Sequence, residues 1–507
     1  MSFDSPDRAE RAQRRAARRQ ARSGSPALQL PEVPPRLRWA RLEIASDAQV
    51  AAIEATARHR LQSDGVRVPD PGALTLLAAH GARIDRAQGR VWLDPDPLER
   101  LLALAPSRFT WLARNPARTL TLGDSAIAFG LHGHATRVYT ETGPRPAQRA
   151  DLEAALRLGQ VLGALHVVGQ PFAQLTDVSA ADLPVEALTA ALTLTDKPLL
   201  APLHDGPTAH RQLAVLGAVF GPLGALAGAA LVGEATAAAP LTWDAAVDAA
   251  IMAFARSGQA VLLRPFQASD GEAPAEAWAR QHAEVLAGVA LAQAAWPGAP
   301  VLYGGLRGAQ HGPAAGLAAE LGARLARFCA LPAQLEAAPR AGVPGAEAAA
   351  QSGWALWPAV LGGVDLIATA AGCLADGAVF SPEHCLSDVD GLGMFRHFLA
   401  GFDVDPETLA LAEIKAAGPG GHHLDSAFTR ARYTDAFYPS FLADRLAYET
   451  WELAGRWDTV KRAAARLPDL LAAHTPPALT PEAQTTLTET LARLRATPER
   501  GTDDNAL

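Results

Sequence analysis

Glu234 closes the apolar run GAALVGE, and a carboxylate in such a setting must be paired or face a cavity. Other polar and aromatic residues stand in the same relation to apolar runs. Gln170 lies in LHVVGQPF, His204 follows KPLLAPL, and Arg264 and Gln267 lie in QAVLLRPFQ. Tyr303 lies in PVLYGG, with Arg307 and His311 after it. Trp354 and Trp357 are three apart on the helical stretch before VDLIATAA, while Glu383 and Asp388 lie beyond it. Carboxylates and aromatic faces suit an organic cation, whereas arginine and histidine suit an anion. Each residue also has an ordinary reading: loop histidines are solvated, tryptophans at helical spacing pack in a core, and acids near a helix start cap it.

No nucleophile or metal motif competes with this set. His422 and His423 are adjacent and point in different directions, and no HExxH occurs. The three cysteines, Cys329, Cys373 and Cys385, fit no tight metal spacing and no disulfide framework, and nothing marks one thiol as activated. No GxGxxG follows HVVGQPF, and no GxxxxGK[ST] loop is present, so dinucleotide and P-loop nucleotide sites find no support.

The elements that must carry these residues read as four stretches. Residues 1–35 are Arg-rich and then Pro-rich, with no apolar period, and are expected to be a disordered, solvated tail. Residues 36–150 read as a lead-in of helices followed by a few short antiparallel strands. Residues 151–402 alternate apolar helices with short apolar strands, through PVLYGG, a weak PAQLEAA and VDLIATAA, with a last strand expected at 384–389. Strands this apolar, joined by helices, argue a parallel sheet covered on both faces. The expected fold is an α/β (β/α)8 TIM barrel, with reacting groups at the carboxyl ends of its strands. Residues 403–507 read as a helical C-terminal extension.

Composition fits this reading. With 507 residues, 49% hydrophobic and 19% charged, the chain is long and apolar enough for a large core. A net charge of −8 gives no overall basic character for nucleic acid. Few cysteines and an N-terminus without an apolar signal core point to a reducing, cytoplasmic setting. The uncharged stretch 213–233 contains five glycines and a proline, so it reads as a buried helix, a turn and a strand, and no membrane span is expected. From the residues alone, the reading ends at a barrel enzyme of unknown reaction.

Several ordered stretches resemble the trimethylamine methyltransferase family, in particular its pyrrolysine-free glycine betaine and related quaternary-amine members. They include GVRV, AP-x-x-FTWLARNP at 105–116, TETGPRPAQRADLEAALRL at 140–158, TDKPLLAPL and HAEVLAGVALAQAAWPGAPVLYGG. They continue with SPEHCLSDVD at 381–390, GPGGHHL at 418–424 and LADRLAYETWELAG at 442–455. The resemblance covers about residues 50–494. It implies a barrel that removes a methyl group from a betaine-like methylated amine and passes it to the Co(I) of a separate corrinoid protein. It implies no tightly bound cofactor, since that partner's cobalamin is the methyl acceptor, and it implies a homo-oligomer. On this reading Glu234, Tyr303 and Trp354 surround the cation, and Arg264, His204 or His311 holds a substrate carboxylate, with Gln267 and Glu383 also in the site. Trimethylamine-specific members carry pyrrolysine in the region corresponding to 335–343, which here reads LEAAPRAGV, so trimethylamine itself is not the expected substrate. PGAEAAAQSGW is Ala-rich where relatives are more polar, with only Gln351 and Gly353 in common, and the loop after the fourth strand inserts Asp270 and Glu272. A noncatalytic or corrinoid-independent small-molecule-binding barrel is the alternative reading.

Overall fold

The computed structural model describes residues 33–268, 272–306, 313–433, 438 and 440–496. Eight short strands form a closed barrel: β1 (Ala128–Leu131), β2 (Val167–Gly169), β3 (Leu199–Pro202), β4 (Leu231–Thr236), β5 (Ala260–Arg264), β6 (Val301–Gly304), β7 (Ala333–Leu335) and β8 (Leu366–Ile367). Every neighbouring pair is parallel, including β8 with β1, which closes the ring. A helix follows each strand: α1 (Arg149–Val161), α2 (Leu183–Leu194), α3 (Gly206–Phe220), α4 (Ala245–Arg256), α5 (Pro274–Ala295), α6 (Pro313–Phe328), α7 (Ala346–Gly362) and α8 (Pro382–Ala400). The fold is a (β/α)8 barrel.

Two boundaries differ from the sequence reading. The first strand, β1, lies inside the stretch read as lead-in, because its short apolar run AIAFGL sits between two antiparallel hairpins and shares their appearance. The strand expected at 384–389 is part of α8. Ser381 caps that helix by accepting from the His384 amide, Pro382 occupies its first turn, and a helical apolar spacing continues to Leu399. The weak PAQLEAA segment does supply a strand, β7.

The register decides which side chains face the lumen. Parallel neighbours in register point the same way, so Leu366, Ala128, Leu200, Val232, Leu262 and Leu302 form one inner set. Phe109 and Trp111 from an antiparallel hairpin (Phe109–Trp111 with Leu120–Leu122) pack into that set and close the amino end of the barrel. The carboxyl end is left for ligands.

The flanking segments brace the ring. The lead-in helix Asp47–Ser63, capped by Ser46 and Gln49, packs on α5 and α6. The C-terminal helices Thr459–Ala472 and Pro481–Ala496 pack on α1, α3 and α8. Asp390 of α8 ties in the segment before them, accepting from Tyr438 Oη at 3.0 Å, Ser440 Oγ at 2.5 Å and the Phe441 amide at 3.1 Å. The uncharged 213–233 stretch folds as the end of α3, a short turn and the start of β4. Among the described residues, no helix is long and apolar enough to cross a membrane.

Candidate active site at the barrel mouth

Above the apolar lumen layer the side chains become charged. Glu234 of β4, Arg264 of β5 and Glu336 just beyond β7 converge there with His132 and His134, which follow β1. Arg264 donates through Nη1 to Glu234 Oε1 and to His134 Nε2, the latter at 2.7 Å, and pairs through Nη2 with Glu336. His132 Nδ1 accepts the Gln170 amide at 3.1 Å, so its proton resides on Nε2, which donates to Glu234 Oε2 at 2.8 Å. Gly169 makes room for that ring: a Cβ there would lie 2.2 Å from His132 Nδ1.

Burial and charge set the protonation states. Burial pushes His132 down, keeping it neutral. Burial also pushes the Glu234 carboxyl up, but Arg264 and the two histidines hold it well below the usual range. Glu234 raises His134, whose side chain is 40% exposed at the rim. Two carboxylates, Glu234 and Glu336, gather around the Arg264 guanidinium at the mouth, and carboxylate oxygens suit a small organic cation.

His132, His134 and Glu234 offer ligand atoms within 4.8 Å of one another, a spacing that could hold a metal ion. Arg264 Nη1 already sits against His134 Nε2 and Glu234 Oε1, so a guanidinium fills the place of the cation.

The sequence-derived residues divide sharply. Glu234 and Arg264 meet in the cluster, and His204 stands exposed at the rim within electrostatic reach of His134 and Glu234. Gln170 takes part through its backbone amide, while its side chain bonds Phe172. Arg264 is bound by two carboxylates and buried, so it is not the free guanidinium that a substrate carboxylate requires. Tyr303 faces away from the lumen: it pairs with Leu263 on the outer side of the wall, and its hydroxyl meets His282 Nδ1 of α5 at 2.9 Å. Trp354 lies half exposed on the outer helix α7, and Trp357 stacks on Phe395 and Phe398 of α8, so neither joins a cage around Glu234. Glu383 accepts from Oγ of the capping Ser381 at 2.9 Å in the first turn of α8. Gln267 is exposed beyond β5. Arg307, His311 and Asp270 lie outside the described residues.

Asp388 lines a separate cavity of about 310 Å3 between α7, α8 and the C-terminal segment. Its Oδ2 accepts the Gly372 amide at 2.9 Å, and burial pushes the carboxyl up to about 7.

His132, His134 and Glu336 were not among the expected residues. The first two are legible as HGH once AIAFGL is read as a barrel strand. Glu336 lies in LEAAPRAGV, two residues beyond the inward-facing Gln334. Gln351 of α7 pins the loop after it by accepting the Arg340 and Ala341 amides at 2.8 and 2.9 Å.

Comparison with known proteins places this mouth in context. A family model for trimethylamine methyltransferase (MTTB) matches residues 11–498. The chain belongs to the trimethylamine methyltransferase family. It is a methyltransferase by that membership. A glycine betaine methyltransferase from Desulfitobacterium hafniense is 29% identical over 457 residues, 87% of this chain and 95% of that protein. A trimethylamine methyltransferase from the same species is 25% identical over 87% of this chain and 92% of its own length. A crystal structure of the Methanosarcina barkeri monomethylamine methyltransferase aligns with a TM-score of 0.48 at 11% identity, over 89% of this chain and 94% of that one.

The stretches that carry the family likeness have structural work in this member. Asp196 of TDKPLLAPL pairs with Arg118 at 2.8 Å and accepts from Asn115 of FTWLARNP at 3.1 Å, tying the floor hairpin to β3. The next residue, Lys197, is buried and donates to the carbonyls of Gly159, Leu162 and Leu165, which closes the carboxyl end of α1.

Proposed function

We propose that this methyltransferase demethylates a betaine-like quaternary or tertiary methylated amine and delivers the methyl group to the Co(I) of a cognate corrinoid protein. Family membership supports the reaction class, and the pair of carboxylates at the mouth supports the cation. Glu234 lies buried against Arg264 and Glu336 stands at the partly exposed edge, so a positive nitrogen at the mouth meets carboxylate oxygens. Among the described residues, the rim histidines His134 and His204 are the groups placed to meet a substrate carboxylate, a role that Arg264 leaves open.

The reacting nucleophile comes with the partner, whose cobalt takes the methyl carbon while the C–N bonding pair stays on nitrogen. This chain then has three tasks. Its carboxylates hold the nitrogen at the mouth, its floor hairpin and apolar lumen exclude water from below, and its rim presents the methyl group outward. A quaternary nitrogen leaves as a neutral tertiary amine, so no general acid is required, which agrees with a neutral His132 locked between Gln170 and Glu234.

A cytoplasmic, homo-oligomeric state belongs to the same proposal. The three cysteines are free, and Trp354, Met394 and Phe398 expose an apolar face on α7 and α8.

The test is methyl transfer from glycine betaine, proline betaine, carnitine, choline and trimethylamine to reduced cobalamin, free and on a partner corrinoid protein, followed by the visible spectrum. Formation of methylcobalamin with a quaternary amine supports the reading. Its absence with every donor and acceptor, beside an active relative, supports a barrel that only binds.

A further inference from the structure

A second group of ligand-type side chains lies on the outer face of the barrel, across the wall from the mouth. Glu54 of the lead-in helix, His282 of α5 and Cys329, which follows α6, bring a carboxylate oxygen, a ring nitrogen and Sγ within 4.8 Å of one another. Glu54 is 3% exposed and His282 fully buried. Tyr303 of β6 backs the histidine, its hydroxyl 2.9 Å from Nδ1, while His282 Nε2 is buried without a hydrogen-bond partner. A buried imidazole nitrogen left bare costs about 1–3 kcal/mol, and such an atom calls for an explanation.

The outer group differs from the trio at the mouth in one decisive respect. There a guanidinium meets both His134 and Glu234. Here Arg58 takes only Glu54 Oε1, at 2.5 Å, and is itself balanced by Glu99 at 2.6 Å. One oxygen of Glu54 stays available.

Charge and donor type select the ligand. One thiolate and one carboxylate neutralise a divalent cation, so the filled site carries no net charge inside the protein. Sulfur and imidazole favour a borderline-soft metal over calcium or magnesium. Metal–ligand bonds of about 2.0–2.3 Å place ligand atoms about 3.3–3.7 Å apart, so closing on an ion needs shifts of about 1 Å.

We propose that Glu54, His282 and Cys329 form a structural site for a divalent cation of the zinc class, which clamps the lead-in helix to α5 and α6. The fourth position is open to water. Without metal, burial keeps the thiol and the imidazole neutral: it pushes Cys329 up to about 12 and His282 down to about 3. Binding therefore releases the thiol proton.

The full chain, stripped with chelator and titrated with Co(II), tests this directly. The expected result is a thiolate-to-cobalt charge-transfer band in the near ultraviolet that saturates at one equivalent. Zinc displaces it and raises Tm by about 3 °C or more. Cys329→Ser abolishes the band and the Tm rise. Glu54→Gln weakens binding at least about tenfold, and serves if the serine variant folds poorly. Zinc protection of Cys329 from alkylation, read by peptide mass spectrometry, reports on the wild type alone. The proposal is overturned if wild type gives no charge-transfer band and zinc leaves Tm and alkylation unchanged. It is equally overturned if the band survives in Cys329→Ser.

Discussion

Gly169 and His132 are fitted to each other: a Cβ on the glycine would lie 2.2 Å from the imidazole Nδ1, closer than any real contact allows. The ring stays in place because β2 carries no side chain there, and it then reaches Glu234 at 2.8 Å. Gly169→Ala must displace the ring and break both of its hydrogen bonds. Methyl transfer is expected to fall at least tenfold, with a stability loss of about 1–3 kcal/mol read by thermal unfolding.

The two carboxylates of the mouth differ in what they support. Glu234 is buried against Arg264, so Glu234→Gln leaves a buried guanidinium short of a partner and is expected to cost about 3–5 kcal/mol of stability. Glu336 is 25% exposed, so Glu336→Gln is expected to cost less stability than Glu234→Gln while weakening a cationic substrate about tenfold. Calorimetric titration and thermal unfolding of both variants separate the two roles.

Acid should weaken binding of a purely cationic donor through His134. Glu234 raises its pKa, so as pH falls through that raised value the mouth gains a positive charge that repels the donor nitrogen. Stability runs the other way. A raised folded-state pKa adds stability that is complete below the ordinary imidazole value of 6.5 and is lost as pH rises through the folded value. KM for a donor without a carboxylate, such as choline, should rise on acidification, and His134→Gln should flatten that profile.

Most of the barrel was legible because buried parallel strands are short apolar runs between helices, and seven such runs became strands of the ring. Facing was not. PVLYGG is apolar throughout, so nothing in it says that Val301 and Tyr303 point out while Leu302 points in; only pairing with β5 settles it. Glu234 was legible for the opposite reason, as a lone charge in an otherwise apolar run. His132 and His134 escaped because β1 sits between hairpins, and Glu383 sits in the first turn of α8, where it holds the hydroxyl of the capping Ser381.

Lys197 gives a test of the frame apart from chemistry. Its ammonium satisfies three carbonyls at the end of α1, at 2.5, 2.9 and 2.5 Å. Lys197→Met removes those bonds while keeping most of the volume. A loss of about 3 kcal/mol or more is expected in denaturant unfolding, with substrate affinity of the folded fraction unchanged.

The most direct measurement is a mass balance with a deuteromethyl-labelled quaternary amine such as glycine betaine, the purified chain and a reduced corrinoid protein. One labelled methyl should appear on cobalt for each tertiary amine formed, with transfer falling about tenfold at limiting substrate in Glu336→Gln. Amine that stays fully methylated, while a glycine betaine methyltransferase works in the same mixture, would contradict the assignment of methyl transfer to this mouth.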